Sequence, residues 1–266
     1  MTQYAYMTYH RKDDNILETC VNSLHLVNPS AQVVITTDGV PDELDKRMTR
    51  EYGVQWIRVP TQKMYKRRAT CKIEFLNNLI QQCNDGDEIL VSDVDVYFIK
   101  DPFVAFIECM NMDLGLTTRG YKHLFPINGG IFYIRVNSKM KAWVDWHVKE
   151  IHHPLWPPYT KAKRVLNHYS QGLDWTVGQD FLIACWGAKD ELLKTKGIDV
   201  IDVGSKYNYC PATDLNKPQA FNMAWNALNE KSVVTLHLKS ELKQMVYDGK
   251  FPNAKLNYPK GQLAWK

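Results

Sequence analysis

Short runs of alternating or continuous apolar residues are spaced along the chain with longer segments of helical period between them. Residues 4–9 (Tyr-Ala-Tyr-Met-Thr-Tyr) and 33–37 (Val-Val-Ile-Thr-Thr) are β-rich, and the second closes on the turn residues Asp38-Gly39-Val40-Pro41. Between them Ile16, Cys20, Leu24 and Val27 fall on one helical stripe, which predicts a right-handed βαβ unit and a parallel sheet. Residues 54–59 predict a third strand. From Ala69, the positions Ala69, Ile73, Leu76, Ile80 and Cys83 keep a helical spacing that ends at Asn84-Asp85-Gly86, with Arg68 and Lys72 one turn apart on its polar side.

Glu88-Ile-Leu-Val-Ser92 is nearly continuous, as a strand buried on both faces should be, and it delivers Asp93-Val94-Asp95 at its carboxyl end. Asp113–Thr118 and Gly130–Val136 predict further strands. A helix capped by Asn137-Ser138 carries Met140, Trp143, Val144, His147 and Ile151 on one face. Residues 152–175, with three prolines, three histidines, two tryptophans and two tyrosines, have no period and predict an exposed functional loop. Gly178–Gly187 reads as helix, Ser232–Leu238 as a late strand, and the tail from about Ser240 as packing across the domain. The order predicts an α/β fold: a mixed, mostly parallel sheet flanked by helices, in one domain spanning 1–266.

Composition narrows the function. Of 266 residues, 45% are hydrophobic and 23% charged, enough for a real core. The net charge is only +4, which gives no special support to a protein that holds nucleic acid by counterion release alone. No run approaches the roughly 18 apolar residues of a membrane span, and Met1–His10 lacks the pattern of a signal peptide. The six cysteines include no Cys-x-x-Cys, and Asn28-Pro29-Ser30 is disqualified as a glycosylation acceptor by its proline. The expectation is reduced thiols, no membrane anchor and a cytoplasmic location.

Asp93 and Asp95 carry the sharpest chemistry. Two carboxylates two apart at a strand end point the same way, and ligands of open α/β sheets bind at that end. Their natural partner is a hard divalent cation, Mg²⁺ or Mn²⁺, which keeps positions open for substrate phosphate oxygens. His237 and Lys239, two apart at the end of the late strand, share a face, so that an imidazole completes the metal shell while an ammonium meets phosphate; nitrogen ligation favours Mn²⁺.

The run Ile89–Phe103, which contains Asp93-Val-Asp95 and Asp101-Pro102, is followed by Asn128-Gly-Gly-Ile-Phe-Tyr-Ile-Arg-Val-Asn-Ser138 and Trp143. Together these resemble the nucleotide-diphospho-sugar transferases of GT-A fold, closest to the retaining arabinosyl- and xylosyltransferase-like group, with a more distant likeness to glycogenin-type enzymes. The resemblance covers roughly residues 64–190. It implies a nucleotide-binding half over 1–125 and a donor-sugar and acceptor half over 126–266. It also implies that Asp93 and Asp95 hold the metal and the donor diphosphate, and that Asn128, Gly129, Gly130, Gln179 and Asp180 line the donor sugar, with Asn128 and Asp180 in catalytic positions. The family pattern here is an Asp or Asp-Gln pair, whereas this chain reads Gly178-Gln179-Asp180. Glycogenin-like enzymes also carry a glycine between the late histidine and lysine that is missing here.

Tyr9 and Asp38 end the first two strands, where this fold receives a nucleoside: a ring stacks on uracil and a carboxylate binds ribose. Arg68 and Lys72 face the diphosphate or base. In the 152–175 loop, Trp156, Tyr159 and Trp175 offer faces on which sugars or bases stack, and Lys161, Lys163 and Arg164 offer phosphate contacts.

The leading reading is a metal-dependent glycosyltransferase that takes a sugar from a nucleoside-diphosphate sugar, a UDP-sugar above others, to an acceptor hydroxyl with retention. An inverting enzyme would need Asp174, Asp180 or a loop histidine as base. The acceptor is a glycan, a protein, or a hydroxymethylated base in DNA as for phage-type DNA glycosyltransferases. Nucleotidyl transfer needs a glycine-rich loop after the first strand, and Tyr9-His-Arg-Lys-Asp-Asp14 has no glycine. A non-catalytic sugar-nucleotide binder would keep Arg68 and Lys72 without needing Asp93, Asp95 and His237 together.

Overall fold

The computed structural model describes residues 1–10, 14–60, 68–118, 127–150, 182–183, 185–211, 217–239 and 241–251. Seven strands form one sheet: β1 (Gln3–Tyr9), β2 (Gln32–Thr37), β3 (Gln55–Arg58), β4 (Glu88–Asp93), β6 (Leu114–Thr118), β7 (Ile127–Arg135) and β8 (Val200–Asp202), in the order β3-β2-β1-β4-β7-β6-β8. A separate pair joins β5 (Val96–Phe98) to β9 (Thr235–His237). β1 pairs in parallel with β2 and β4, β2 with β3, and β6 with β8, while β7 runs antiparallel to both β4 and β6. The fold is therefore α/β with a mixed, mostly parallel sheet, as the sequence predicts.

Strand parity divides the core into two layers. Ala5, Met7 and Tyr9 of β1, Leu90 of β4, and Ile131 and Tyr133 of β7 face one side. There they meet Leu17, Cys20 and Leu24 of α1 (Asp14–Val27) and Leu44 and Met48 of α2 (Asp42–Tyr52). Tyr6, Ile89, Val91, Phe132 and Ile134 face the other side. Their partners are Ile73, Leu76 and Ile80 of α3 (Arg68–Gln82) and Met140, Trp143 and Val144 of α5 (Ser138–Glu150). A short helix α4 (Val104–Glu108) follows β5, and α6 (Lys189–Lys196) precedes β8. At the end of α2, Gly53 takes φ +64° and donates to Met48 O and Thr49 O, a left-handed stop that only glycine adopts without strain.

A third cluster covers α1 from outside. Ile16 and Tyr97 pack with Ala224 and Leu228 of α7 (Lys217–Asn229), Leu236 of β9, and Leu242 and Val246 of α8 (Glu241–Tyr247). Burial on both sides explains why α1 hides residues such as Asn15, Glu18 and Asn22 as well as its apolar stripe. The described part of the C-terminal segment, up to Phe251, thus packs against α1, β5 and β9.

Several boundaries differ from the sequence reading. The late strand expected over Ser232–Leu238 is only Thr235–His237, and the strand expected from Gly130 begins at Ile127. Asn128-Gly129-Gly130 is therefore strand, and neither glycine has positive φ. No disulfide joins the six cysteines. Among the described residues no helix is long and apolar enough to cross a membrane. The 152–175 loop lies outside the described residues, as does the start of the helix expected over Gly178–Gly187, of which residues 182–183 and 185–187 are helical.

Candidate metal and diphosphate site

The sheet turns back on itself between β1 and β4. From β1 the chain proceeds outward to β2 and β3, then returns to lay β4 on the other flank of β1. At such a reversal the connections leave in opposite directions, and a crevice opens beyond the carboxyl ends of the two strands. Asp93 is the last residue of β4 and pairs with Thr8 of β1, so its carboxylate stands at this crevice.

Three residues later the chain enters β5, whose partner β9 brings His237 opposite Val96. Leu238 N donates to Asp95 O at 2.7 Å, locking the bend to the end of β9. The outcome is a group of three: one ligand atom each from Asp93, Asp95 and His237, all within 4.8 Å of one another. His237 Nε2 lies 3.0 Å from Asp95 Oδ1.

Lysines surround the carboxylates. Lys72 Nζ of α3 is 2.9 Å from Asp93 Oδ1. Asp95 Oδ2 receives Lys239 Nζ at 3.2 Å and Lys243 Nζ, from α8, at 3.0 Å. Burial alone would raise the Asp95 carboxyl, but His237 and the two lysines hold it well below the usual carboxylate range. Three lysines against two carboxylates leave one positive charge before any cation arrives, which suits a polyanionic ligand.

Behind the imidazole stands a polar network that leaves little freedom. Asn208 lies in a single 3₁₀ turn, Ser205–Asn208. Its Nδ2 donates to Asn128 O at 3.1 Å and to Thr117 Oγ1 at 3.0 Å. Thr117 Oγ1 in turn reaches both Asn128 O and Ile131 O at 2.9 Å. Asn208 Oδ1 faces His237 Nδ1 at 3.1 Å. Gly130 supplies room for the ring, since a Cβ there would lie 2.4 Å from His237 Cε1 and 2.9 Å from Nδ1.

The structure thus gathers Lys72, Asp93, Asp95, His237, Lys239, Asn128 and Gly130 around one crevice. Asn128 is buried, and its Oδ1 accepts from Gly130 N at 3.2 Å. Gly130 lies against the imidazole. Gly129 beside it is half-buried. Tyr9 is placed otherwise than expected: its ring is 1% exposed within the core and its hydroxyl donates to Asp14. Asp38 is also buried and pairs with His10 at 2.9 Å. The side chain of Arg68 lies outside the described residues, as do Trp156, Tyr159, Lys161, Lys163, Arg164, Asp174, Trp175, Gln179 and Asp180.

Sequence reading did not single out Lys243 or Asn208. Lys243 left a signal, since it follows Lys239 by four residues, one helical turn. Asn208 left none.

The donor set fits a hard or borderline divalent cation: two carboxylates and an imidazole, with the second ring nitrogen tied back to the protein. Residues 54–168 match the family model of nucleotide-diphospho-sugar transferases. No curated protein matches the chain significantly. Among solved structures, the glycosyltransferase GlyE of Streptococcus pneumoniae TIGR4 superposes with a TM-score of 0.54 at 12% identity, over 96% of this chain and 61% of GlyE. The galactosyltransferase LgtC, solved with donor and acceptor sugar analogues, superposes with a TM-score of 0.50 at 14% identity, over 88% of this chain and 86% of LgtC. The chain thus spans about three fifths of GlyE's length. It has the fold of the GT-A glycosyltransferases, and its residues 54–168 are similar to the nucleotide-diphospho-sugar transferases.

Proposed function

We propose that this protein is a divalent-cation-dependent glycosyltransferase that moves a sugar from a nucleoside-diphosphate sugar to an acceptor hydroxyl. The observation that carries this reading is the convergence of Asp93, Asp95 and His237 inside a ring of Lys72, Lys239 and Lys243. A binder of sugar nucleotides could rely on the lysines alone. Carboxylates placed among them serve a cation, and a cation bound there would neutralise charge growing on the departing diphosphate.

In this reading Asp93, Asp95 and His237 hold Mn²⁺ or Mg²⁺, the imidazole favouring Mn²⁺. Lys72, Lys239 and Lys243 meet the phosphate oxygens, a role the sequence also gives Arg68. Asn128, Gln179 and Asp180 address the donor sugar. The nucleoside is uridine and the configuration is retained, both by the resemblance to retaining GT-A enzymes. With retention, the anomeric carbon–phosphate oxygen bond breaks as the carbon–acceptor oxygen bond forms, and the acceptor proton passes to the leaving diphosphate. The acceptor is a hydroxyl of a glycan or protein, for which the sequence offers Trp156, Tyr159, Lys161, Lys163, Arg164 and Trp175 as contacts.

The test is donor hydrolysis across a panel of UDP- and other nucleoside-diphosphate sugars, with Mn²⁺, with Mg²⁺ and with EDTA. Cleavage of at least one donor is expected with cation, little with EDTA, and little in Asp93→Ala. Cleavage indifferent to EDTA, or no donor bound or cleaved, would sink the reading.

A further inference from the structure

The imidazole of His237 is 4% exposed, and each ring nitrogen faces one oxygen acceptor. Which nitrogen carries the proton follows from the neighbour. Asn128 O is a carbonyl and only accepts, so the atom of Asn208 that lies 3.1 Å from it is the amide nitrogen. Thr117 Oγ1 spends its proton on Asn128 O or Ile131 O and therefore accepts from the same nitrogen. The Asn208 amide has one orientation that satisfies both. Its Oδ1 then faces His237 Nδ1, which must donate. With Nδ1 holding a proton, a ring that ligates a cation does so through the lone pair of Nε2, the nitrogen beside Asp95.

We infer that Asn208 is a positioning residue for the metal centre: through the Thr117–Asn128 network it fixes His237 in the Nδ1–H tautomer and aims Nε2 at the cation. The inference rests on the proposed metal-dependent reading and deepens it. Asn208 acts through the imidazole that it faces. Gly130 lies against the ring at Cε1 and Nδ1 and leaves no room there for a side chain.

The test is Mn²⁺ binding to the nucleotide-free protein, by titration calorimetry and by electron paramagnetic resonance of the unbound ion. Asn208→Leu removes the acceptor at similar volume, and affinity should fall by about 10- to 100-fold, the usual effect of losing an outer partner of a metal-bound histidine. Asn208→Asp keeps an oxygen facing Nδ1 and should hold affinity within about threefold of wild type, even though it loses the donation to Asn128 O and melts earlier. A merely structural Asn208 predicts the reverse, with the Asp variant at least as impaired as the Leu variant, and that result overturns the inference.

If Asn208→Leu does not fold, ¹⁵N-histidine spectra of the wild-type protein loaded with diamagnetic Mg²⁺ or Zn²⁺ still decide. Nδ1–H with a cation-shifted Nε2 supports the assignment, and Nε2–H overturns it. Wild-type protein that binds no Mn²⁺ at all defeats the metal reading itself and the inference with it. Wild-type binding matched by Asn208→Leu defeats the inference alone.

Discussion

Lys72 Nζ donates to Asp93 Oδ1 at 2.9 Å, joining the start of α3 to the last residue of β4. The ammonium is 12% exposed while the carboxylate is 44% exposed, so the lysine comes from within the fold and its partner looks outward. Such a lysine competes with a cation for the carboxylate and, once displaced, stands where a diphosphate would arrive.

Lys72→Met should therefore split the two ligands. Mn²⁺ affinity without nucleotide is expected to stay level or tighten, because a competing charge is gone. Donor KM is expected to rise at least tenfold, as a charge-assisted contact contributes about 1.5–3 kcal/mol. Calorimetry and steady-state kinetics read the two separately; a donor KM within twofold of wild type would leave Lys72 as a structural partner of Asp93 only.

The two carboxylates should differ in stability and agree in activity. Asp93→Ala removes one exposed partner and is expected to change unfolding free energy by less than about 1 kcal/mol. Asp95→Ala strands His237, Lys239 and Lys243 together and should cost more, on the order of 2–3 kcal/mol. Turnover in both should fall below about a tenth, roughly 1.4 kcal/mol of barrier. Urea unfolding and donor hydrolysis make the comparison, and equal stability losses would contradict the packing described for Asp95.

Gly130→Ala places a methyl where the imidazole lies, 2.4 Å from Cε1 on ideal geometry. The ring is also held at Nδ1 by Asn208 and at Nε2 by Asp95, so it has little room to yield. The half-activating Mn²⁺ concentration should rise at least tenfold, with an overpacking cost of about 1–3 kcal/mol in thermal unfolding. An unchanged Mn²⁺ requirement would show that the ring moves freely and that glycine is not needed there.

His147 predicts the acid limb of stability. Burial on α5 lowers its pKa from 6.5 to about 3, so the folded protein keeps it neutral while the unfolded chain protonates it near 6.5. Its contribution is thus fully present above about pH 6.5 and is lost as pH falls from there toward 3. Between pH 6.5 and 5 wild type should lose about 1.5–2 kcal/mol to this one group, at 1.36 kcal/mol for each pH unit beyond the bend. In His147→Phe that slope should flatten; urea denaturation at stepped pH tests it, and parallel slopes would remove His147 as the cause.

Much of the architecture was legible because period and burial coincide. The stripe Ile73, Leu76 and Ile80 lies in the core as its spacing predicts, and Glu88–Ser92 is buried on both faces. Asp93, Asp95, His237 and Lys239 were legible as a neighbourhood because strand ends concentrate there. Tyr9 was misread although parity was available: it shares a face with Ala5 and Met7, and α1 packs on that face. Asn128-Gly129-Gly130 looks like a turn by composition, but its place beside β4 and β6 draws it into a strand. The three residues of β5 were too few for any period to announce them. Asn208 sits in a four-residue turn whose importance arises only from what three distant segments bring to it.

The pairing of β5 with β9 gives the cation site a property of timing. Asp95 and His237 are 142 positions apart, and the register of three aligned pairs, Val96↔His237, Tyr97↔Leu236 and Phe98↔Thr235, brings them together. A slip of one residue would turn His237 to the opposite face of that ribbon. A growing chain therefore displays its carboxylates long before it has an imidazole to complete them, and competence arrives only when the last strand docks in register. On the proposed reading, a misaligned copy would lack the third ligand of its cation site.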